Sequence, residues 1–343
     1  MATLHSMLRN ISKGVDIVSS LLINADSLGL PSILSFIAED LVPTAVSAIR
    51  VAPTTAAPGL PYSAMYVFGD SLSDTGNVSL ATFGLVPVSP PYADRSFSNG
   101  LVWAQDLAQS IGLPALKPNL AGGTDFAYGG AETGQTPVHA LNVTDLPSQY
   151  AQFLTQVPTP QAGALYAIWI GMNDVLDIAN NGSLTPAQQQ TDVAAAVSNE
   201  VSVIGALVAH GARNMVVLNV PDLGKIPDEL ARASAQSASL LSSLYDTDLA
   251  AALQPLENSG ALKVDLVDTL SLFNKVRDNP SAYGFTNVTD PVWTGNLTSS
   301  SSGTLRAIGA AQNQFLFFDS RHPTAQGHAV VASEVAHSLT AVG

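Results

Sequence analysis

The chain has 343 residues, of which 46% are hydrophobic and 12% charged, a composition that suits a sizeable buried core. Its 13 Lys and Arg stand against 27 Asp and Glu, and the formal net charge of −14 argues against a nucleic-acid-binding surface. Cysteine is absent, which excludes disulfides, thiol nucleophiles and cysteine-based zinc sites, and no uninterrupted apolar run approaches the ~18 residues of a transmembrane helix.

Residues 1–60 differ in pattern from the rest of the chain. Apolar residues recur every three or four positions over 4–22 and 33–46, which predicts two amphipathic helices, and the Pro- and Thr-rich stretch 52–59 predicts a linker. We therefore expect an N-terminal helical extension at 1–60 and one domain at 61–343. A helical hairpin packed on that domain is favoured over contact of residues 1–50 with a lipid interface, because the extension carries only three basic residues.

A serine follows the first apolar run of the predicted domain. Residues 65–68 are β-prone, and Gly69, Asp70 and Ser71 come directly after them, before a polar segment suited to start a helix. This is the usual opening of a parallel α/β sheet, in which ligands bind at the carboxyl ends of the strands. Ser71 would lie at that end, near a helix N-terminus whose free N–H groups favour negative charge. On this stretch alone, a serine that caps the helix is the preferred interpretation.

Further apolar runs alternate with helical segments along the domain. Residues 164–170 form a nearly continuous apolar run, as a central parallel strand requires, and 215–220 predict the next buried strand. The stretch 262–267 alternates in polarity, which is typical of an edge strand. Long helices are predicted between these runs, one at 185–208 and one over most of 228–257. This alternation predicts a three-layer α/β/α sandwich.

The C-terminal part of the domain supplies an acid and a base. Residues 315–318 form another short apolar run, and Asp319 and His322 follow it, three positions apart, in a loop that enters a helix. This spacing lets a carboxylate reach one nitrogen of the imidazole and leaves the other nitrogen to take a proton from a serine. Ser71, His322 and Asp319 are therefore the candidate catalytic residues.

Four short blocks stand out in order along the domain: 68–77 (FGDSLSDTGN), 125–131 (DFAYGGA), 171–174 (GMND) and 319–324 (DSRHPT). In order and spacing they resemble the blocks of the GDSL lipase/esterase family, also called SGNH hydrolases. Each block is weak alone, but the four together are specific, and the resemblance runs from about residue 65 to the C-terminus. It implies a five-stranded parallel sheet of flavodoxin-like order.

The resemblance also implies roles for single residues. In the family the oxyanion is held by the backbone N–H of the nucleophile, here Ser71, by a glycine N–H of the second block and by an asparagine side chain, here Asn173. Gly130 is the nearest match to the glycine, and the adjacent Gly129 is the alternative. The family usually has asparagine where this chain has Asp125, and the difference is expected to alter a supporting hydrogen bond.

Together these features predict a serine esterase or lipase that hydrolyses carboxylic esters through an acyl-enzyme, with no metal and no organic cofactor. The expected substrate is a small-molecule, lipid or carbohydrate ester, and no nucleic acid is expected as a partner. Acyl transfer to an alcohol acceptor is the alternative reaction, and a catalytically dead carbohydrate- or surface-binding module is the alternative class. Since similar enzymes are often secreted, an extracellular or cell-surface location is expected, although the N-terminus carries no clear signal peptide.

Overall fold

The computed structural model describes residues 62–135, 143–159, 161–260 and 262–341 of the chain. The predicted helical extension at 1–60, its boundary with the domain and the segment 1–50 predicted to contact lipid lie outside the described residues.

The centre of the domain is a parallel sheet of four regular strands. They are β1 (Met65–Gly69), β2 (Leu165–Trp169), β3 (Asn214–Leu218) and β4 (Lys263–Val267), and they lie side by side in chain order. Every residue of β1 and β2 is buried, because helices cover both faces of the sheet, as the continuous apolar runs predicted. Strand β4 is more exposed, which confirms its predicted place at the edge of the sheet.

A fifth segment pairs with the free edge of β1 without forming a regular strand. Within 124–128, the Thr124 carbonyl accepts from Val67 N–H, Phe126 N–H donates to the Val67 carbonyl, and Tyr128 N–H donates to the Gly69 carbonyl, at 2.7–3.1 Å. The segment runs parallel to β1. The predicted α/β/α sandwich is thus confirmed. In place of the five predicted strands, the sheet has four regular strands and this irregular fifth segment.

Helices form the two outer layers. On one side α2 packs against α9, and on the other α3, α4 and α7 pack around the long helix α5. Among the described residues, α5 alone is long and apolar enough to cross a membrane by length and composition, but it lies in this layer with Val193, Ile204 and Leu207 buried. The helices are α1 (Asn77–Ala81), α2 (Trp103–Ser110), α3 (Leu146–Gln156), α4 (Met172–Asn180), α5 (Pro186–His210), α6 (Pro227–Leu230), α7 (Ala235–Asn258), α8 (Thr269–Asp278) and α9 (Ala325–Ala341), with 3₁₀ turns at Asn119–Ala121, Leu223–Lys225, Pro280–Tyr283 and Gly309–Gln314.

The helix predicted over most of 228–257 is confirmed as α7, and a break at 231–234 separates it from the short helix α6. The break serves a buried carboxylate: Glu229 is fully buried and accepts hydrogen bonds from the Ser234 hydroxyl at 2.8 Å and the Asn180 amide at 2.8 Å. A continuous helix would carry Ser234 away from Glu229 and leave one oxygen of this buried carboxylate without its hydroxyl donor.

A second, small sheet leads to the C-terminal acid and base. Strands β5 (Asn287–Pro291) and β6 (Phe315–Phe317) pair in parallel, and β6 runs directly into Asp319. Behind β6 lies a second hydrophobic cluster, separate from the main core, which consists of Tyr92, Val292, Trp293 and Phe318.

Candidate active site

Ser71 lies in the turn that ends β1. Gly69 has φ +149°, and a Cβ there would stand 2.1 Å from the Trp169 carbonyl oxygen, so only glycine permits this close approach between β1 and β2. The N–H groups of Ser73 and Asp74 donate to the Asp70 carbonyl and close the turn. The expected helix N-terminus at Ser71 is wrong, because α1 begins only at Asn77 and the Asp74 carboxylate accepts its first N–H groups.

The structure brings together the three predicted catalytic residues. Ser71 Oγ lies 2.8 Å from His322 Nε2, although the two residues are 251 positions apart. His322 Nδ1 lies 2.7 Å from Asp319 Oδ2, and all three side chains are buried. Hydroxyl, imidazole and carboxylate therefore stand in hydrogen-bonded series, which allows the imidazole to take the serine proton while the carboxylate holds the ring.

Asp319 is held in its charged form. Burial raises its pKa. The charge of His322 and the hydrogen bonds from His322, the Tyr92 hydroxyl and the Arg321 N–H together outweigh the burial, so the pKa lies below its usual value. Sequence reasoning missed Tyr92, whose hydroxyl donates to Asp319 Oδ2 at 2.6 Å. Its only signal in the sequence is its place in the Pro-rich stretch 83–97.

Two backbone N–H groups at the site make no hydrogen bond within the described part of the chain. Among the described residues, no acceptor bonds to the N–H of Ser71 or of Gly130, and Gly130 has φ +83°. The N–H of Gly129, by contrast, donates to Asp74 Oδ2 at 2.9 Å, which removes Gly129 from the two candidate donors. The Asn173 amide donates to the Ala131 carbonyl at 2.9 Å and keeps its second hydrogen for another acceptor.

Buried carboxylates build the loops around the serine. Asp74 accepts from the N–H groups of Gly76, Asn77, Val78 and Gly129, so it joins α1 to the glycine block, and burial raises its pKa to about 6 against those donors. Asp70 accepts from Leu72 N–H. Asp70 and Asp74 therefore act as acceptors that structure the loop. Within the described ranges, no three His, Asp or Glu side chains cluster as a metal ion would need.

The three residues face a cleft of about 520 Å³. One part of its wall is apolar, and another is polar and includes Arg321, whose guanidinium is held by Asp228 at 2.8 Å. Such a mixture suits a molecule that joins an acyl chain to a polar group. Besides Ser71, His322 and Asp319, the lining residues are Tyr92, Phe97, Gly129, Gly130, Val143, Met172, Asn173, Leu176, Ile226, Gly295, Asn296, Leu297, Thr298, Ser320 and Arg321.

Fold and site together define a class, the α/β/α hydrolases whose serine ends the first strand of a parallel sheet. Residues 65–335 match the sequence model of the GDSL-like Lipase/Acylhydrolase family. The chain belongs to this family, and it is a carboxylic ester hydrolase. The predicted family and enzyme class are thereby confirmed.

Several characterised proteins are similar to the chain. A phosphatidylcholine-sterol acyltransferase of Aeromonas hydrophila is 28% identical over 68% of this chain and 67% of its own length. A thermolabile hemolysin of Vibrio parahaemolyticus is 28% identical over 79% of this chain, which spans only 62% of the hemolysin. An acetylesterase of Thermothelomyces thermophilus is 29% identical over 66% of this chain and 76% of its own length.

Proposed function

We propose that the protein hydrolyses carboxylic esters through an acyl-enzyme formed on Ser71. The single observation that carries the proposal is the buried series from Ser71 Oγ through the His322 ring to Asp319, with contacts of 2.8 and 2.7 Å. Ser71 Oγ attacks the acyl carbonyl while His322 Nε2 takes the hydroxyl proton. The tetrahedral intermediate then expels the alcohol, which receives that proton from His322, and the acyl group stays on Ser71.

Water completes the cycle by the same steps. His322 Nε2 takes a proton from a water molecule, whose oxygen attacks the acyl-enzyme, and Ser71 leaves with the proton as the acid is released. The oxyanion of both intermediates accepts from Ser71 N–H, Gly130 N–H and the free amide hydrogen of Asn173. Asp319 keeps the ring oriented and stabilises its charged form.

The substrate class that fits best is an ester of a lipid or a carbohydrate. The apolar part of the cleft wall suits an acyl chain, and the relatives named above include a phosphatidylcholine-sterol acyltransferase and an acetylesterase. A series of p-nitrophenyl esters of rising chain length tests this choice, because a pocket for acetyl groups alone loses activity steeply beyond the shortest chains, whereas a lipid-acyl pocket gains it.

Replacement of the nucleophile tests the mechanism. Ser71→Ala is expected to lower kcat for a short p-nitrophenyl ester by at least about 10³-fold, because no other group can form the acyl-enzyme. The matched control is Ser79→Ala, another buried serine, in α1, which should keep both fold and turnover. Retained turnover in a folded Ser71→Ala protein would falsify the proposal.

Two alternatives remain distinguishable by experiment. Acyl transfer to an alcohol is favoured by the relative named an acyltransferase, and products measured with added alcohol separate an acyl ester from a free acid. A dead binding module is disfavoured, because Ser71 and His322 are in hydrogen-bond contact. An organophosphonate should therefore label Ser71, and an unlabelled protein would indicate the binding module.

A further inference from the structure

All acceptor positions of the Asp319 carboxylate are in use. Oδ1 accepts from the N–H groups of Arg321 at 2.8 Å and His322 at 2.7 Å. Oδ2 accepts from His322 Nδ1 at 2.7 Å and from the Tyr92 hydroxyl at 2.6 Å. A carboxylate offers about four lone-pair positions, so the Tyr92 hydroxyl completes the set. It is also the only one of the four donors that comes from a distant part of the chain, 227 positions away.

Packing holds the Tyr92 ring independently of Asp319. The ring is buried and meets Phe318 edge to face, with centroids 5.0 Å apart, inside the second hydrophobic cluster. The loops of this cluster are joined by Val88 N–H to the Leu297 carbonyl at 2.7 Å and by Trp293 N–H to the Phe318 carbonyl at 2.6 Å. The hydroxyl is thus presented to the carboxylate by a fixed support and is not drawn there by the charge alone.

The Tyr92 hydroxyl acts as a permanent donor. Burial, together with the negative charge of Asp319, raises the pKa of Tyr92 well above its usual value, so the O–H bond persists at any pH at which the protein works. Tyr92 shares Oδ2 with the imidazole. A donor on that oxygen withdraws negative charge from it and weakens its attraction for a proton on the His322 ring.

We propose that Tyr92 is a positioning residue for the reaction, which fixes Asp319 Oδ2 against His322 and keeps the His322 ring neutral to lower pH. A neutral ring is the form that can accept the Ser71 proton. The effect on the ring can be measured without turnover, and only its kinetic consequence rests on the proposed function.

Within the described part of the chain, the Tyr92 hydroxyl bonds to Asp319 and to none of the other charged groups near the pair. The buried Asp70 carboxylate interacts with His322 through its charge, and Asp174 acts on Asp70 in turn. Arg321 is engaged by Asp228 at 2.8 Å. A difference in pH dependence between the wild-type protein and a Tyr92 variant therefore reports the loss of the hydroxyl and not a change in another charged group.

The kinetic test is the pH profile of kcat/KM for a soluble ester in Tyr92→Phe. The acid limb is expected to move to higher pH by about 0.5 to 1 unit, because the carboxylate regains charge and the ring holds its proton longer. Activity below the limb should fall about 3- to 10-fold, while the plateau at high pH changes less. A loss that is equal at every pH, with an unmoved limb, would assign Tyr92 a purely structural role and overturn the proposal.

The control is Tyr166→Phe, which removes the hydroxyl of a buried tyrosine in β2 whose partner is the Gln161 carbonyl at 3.3 Å. Its acid limb should match that of the wild-type protein. A shift of equal size in Tyr166→Phe would show that any buried tyrosine produces the effect and would also overturn the proposal.

A second measurement does not depend on turnover. The His322 ring is titrated by NMR in Ser71→Ala and in Ser71→Ala/Tyr92→Phe, with the signal assigned by its absence in His322→Gln. The midpoint is expected at higher pH in the double variant, and an unchanged midpoint contradicts the proposal. If the wild-type protein proves inactive on esters, this shift still stands, so failure of the proposed function and failure of the role of Tyr92 are told apart.

Discussion

Asn173 has two amide hydrogens, and the described contacts use one of them, in the 2.9 Å bond to the Ala131 carbonyl. That bond fixes the side chain on the cleft wall and leaves the other hydrogen for an oxyanion. We expect Asn173→Ala to lower kcat by about 10²- to 10³-fold, or about 3 kcal/mol of transition-state stabilisation, with a smaller change in KM. Steady-state kinetics on a short p-nitrophenyl ester measure both constants.

The matched control for this substitution is Asn214→Ala. Asn214 is also an asparagine that donates to backbone carbonyls, those of Ala162 and Ala164, but it stands at the opposite end of the sheet, at the start of β3. Equal losses of kcat in the two variants would mean that Asn173 matters for stability alone and has no part in the oxyanion site.

The site was predictable where function imposes a local pattern. Asp319 and His322 stand three positions apart, and Ser71 lies in a recognisable block, so the sequence sufficed to bring all three together. Tyr92 has no such pattern, because its role depends on a loop that meets Asp319 only after folding. The choice of Gly130 over Gly129 likewise needed the contact between Gly129 and Asp74.

At the scale of elements, Asp125 connects the irregular fifth segment of the sheet to the loop after Ser71. Its Oδ2 accepts from the Thr75 N–H at 2.7 Å and the Thr75 hydroxyl at 2.6 Å, and its Oδ1 accepts from Ala127 N–H at 2.9 Å. Burial and the nearby charge of Asp74 raise the pKa of Asp125 well above its usual value. A protonated Asp125 still satisfies both N–H groups, because its proton can go to the Thr75 hydroxyl oxygen.

Asparagine at this position cannot do the same. Whichever way its amide turns, its NH₂ group faces the N–H of Thr75 or of Ala127, and one donor loses its acceptor. We therefore expect Asp125→Asn, although it restores the residue usual in the family, to lower the free energy of unfolding by about 1–3 kcal/mol. Urea denaturation monitored by tryptophan fluorescence measures the change. Asp94→Asn, at an exposed aspartate, should leave the midpoint unaltered, and an equally or more stable Asp125→Asn protein would contradict the argument.

The same segment shows where element prediction from sequence ends. Continuous apolar runs were enough to locate β1, β2 and β3, because strands buried on both faces must be apolar throughout. The segment 124–128 has no such run, since Asp125 and the glycines that follow serve the loop around Ser71. The break between α6 and α7 was also hidden, because Ala, Arg and Ser at 231–234 suit a helix and only the buried Glu229 requires the turn.

At the scale of the whole molecule, every residue assigned to the site belongs to one described domain. The lipid contact of residues 1–50 stays a prediction, since residues 1–61 lie outside the described part of the chain, and the extracellular location stays a prediction as well. What the described domain does establish is an unusual number of carboxylates in its interior, in a chain whose formal net charge is already −14.

Besides Asp125, five buried or half-buried carboxyl groups have strongly raised pKa values, and burial is the first cause in each. The pKa is raised to about 6 for Asp74 and Asp174, to about 7 for Asp70, and to about 8 for Glu200 and Asp246. Oxygen atoms of Asp70, Glu200 and Asp246 have no hydrogen-bond partner among the described residues. Ionisation of these groups in the folded protein therefore costs more than ionisation in the unfolded chain.

Stability should consequently fall as pH rises from about 5 to 8. A carboxyl group with a raised pKa keeps its proton in the folded state at a pH where the unfolded chain has already lost it, so folding takes up protons and is favoured at low pH. This contribution is complete below about pH 4 and is lost as pH passes through the folded values of 6 to 8. Asp319, whose pKa is lowered, acts in the opposite sense only below about pH 4.

Urea unfolding at pH 5, 6.5 and 8 tests this dependence, and a loss of a few kcal/mol across that range is expected, since each unit of pKa difference contributes up to about 1.4 kcal/mol. Glu200→Gln should reduce the loss of stability between pH 5 and 8, because glutamine carries no charge. Its amide oxygen can still accept from the Tyr245 hydroxyl, which lies 2.6 Å from Glu200 Oε2 in the wild-type protein. A free energy of unfolding that rises from pH 5 to 8 would show that these carboxylates are ionised and stabilised in the fold, which burial without partners does not allow.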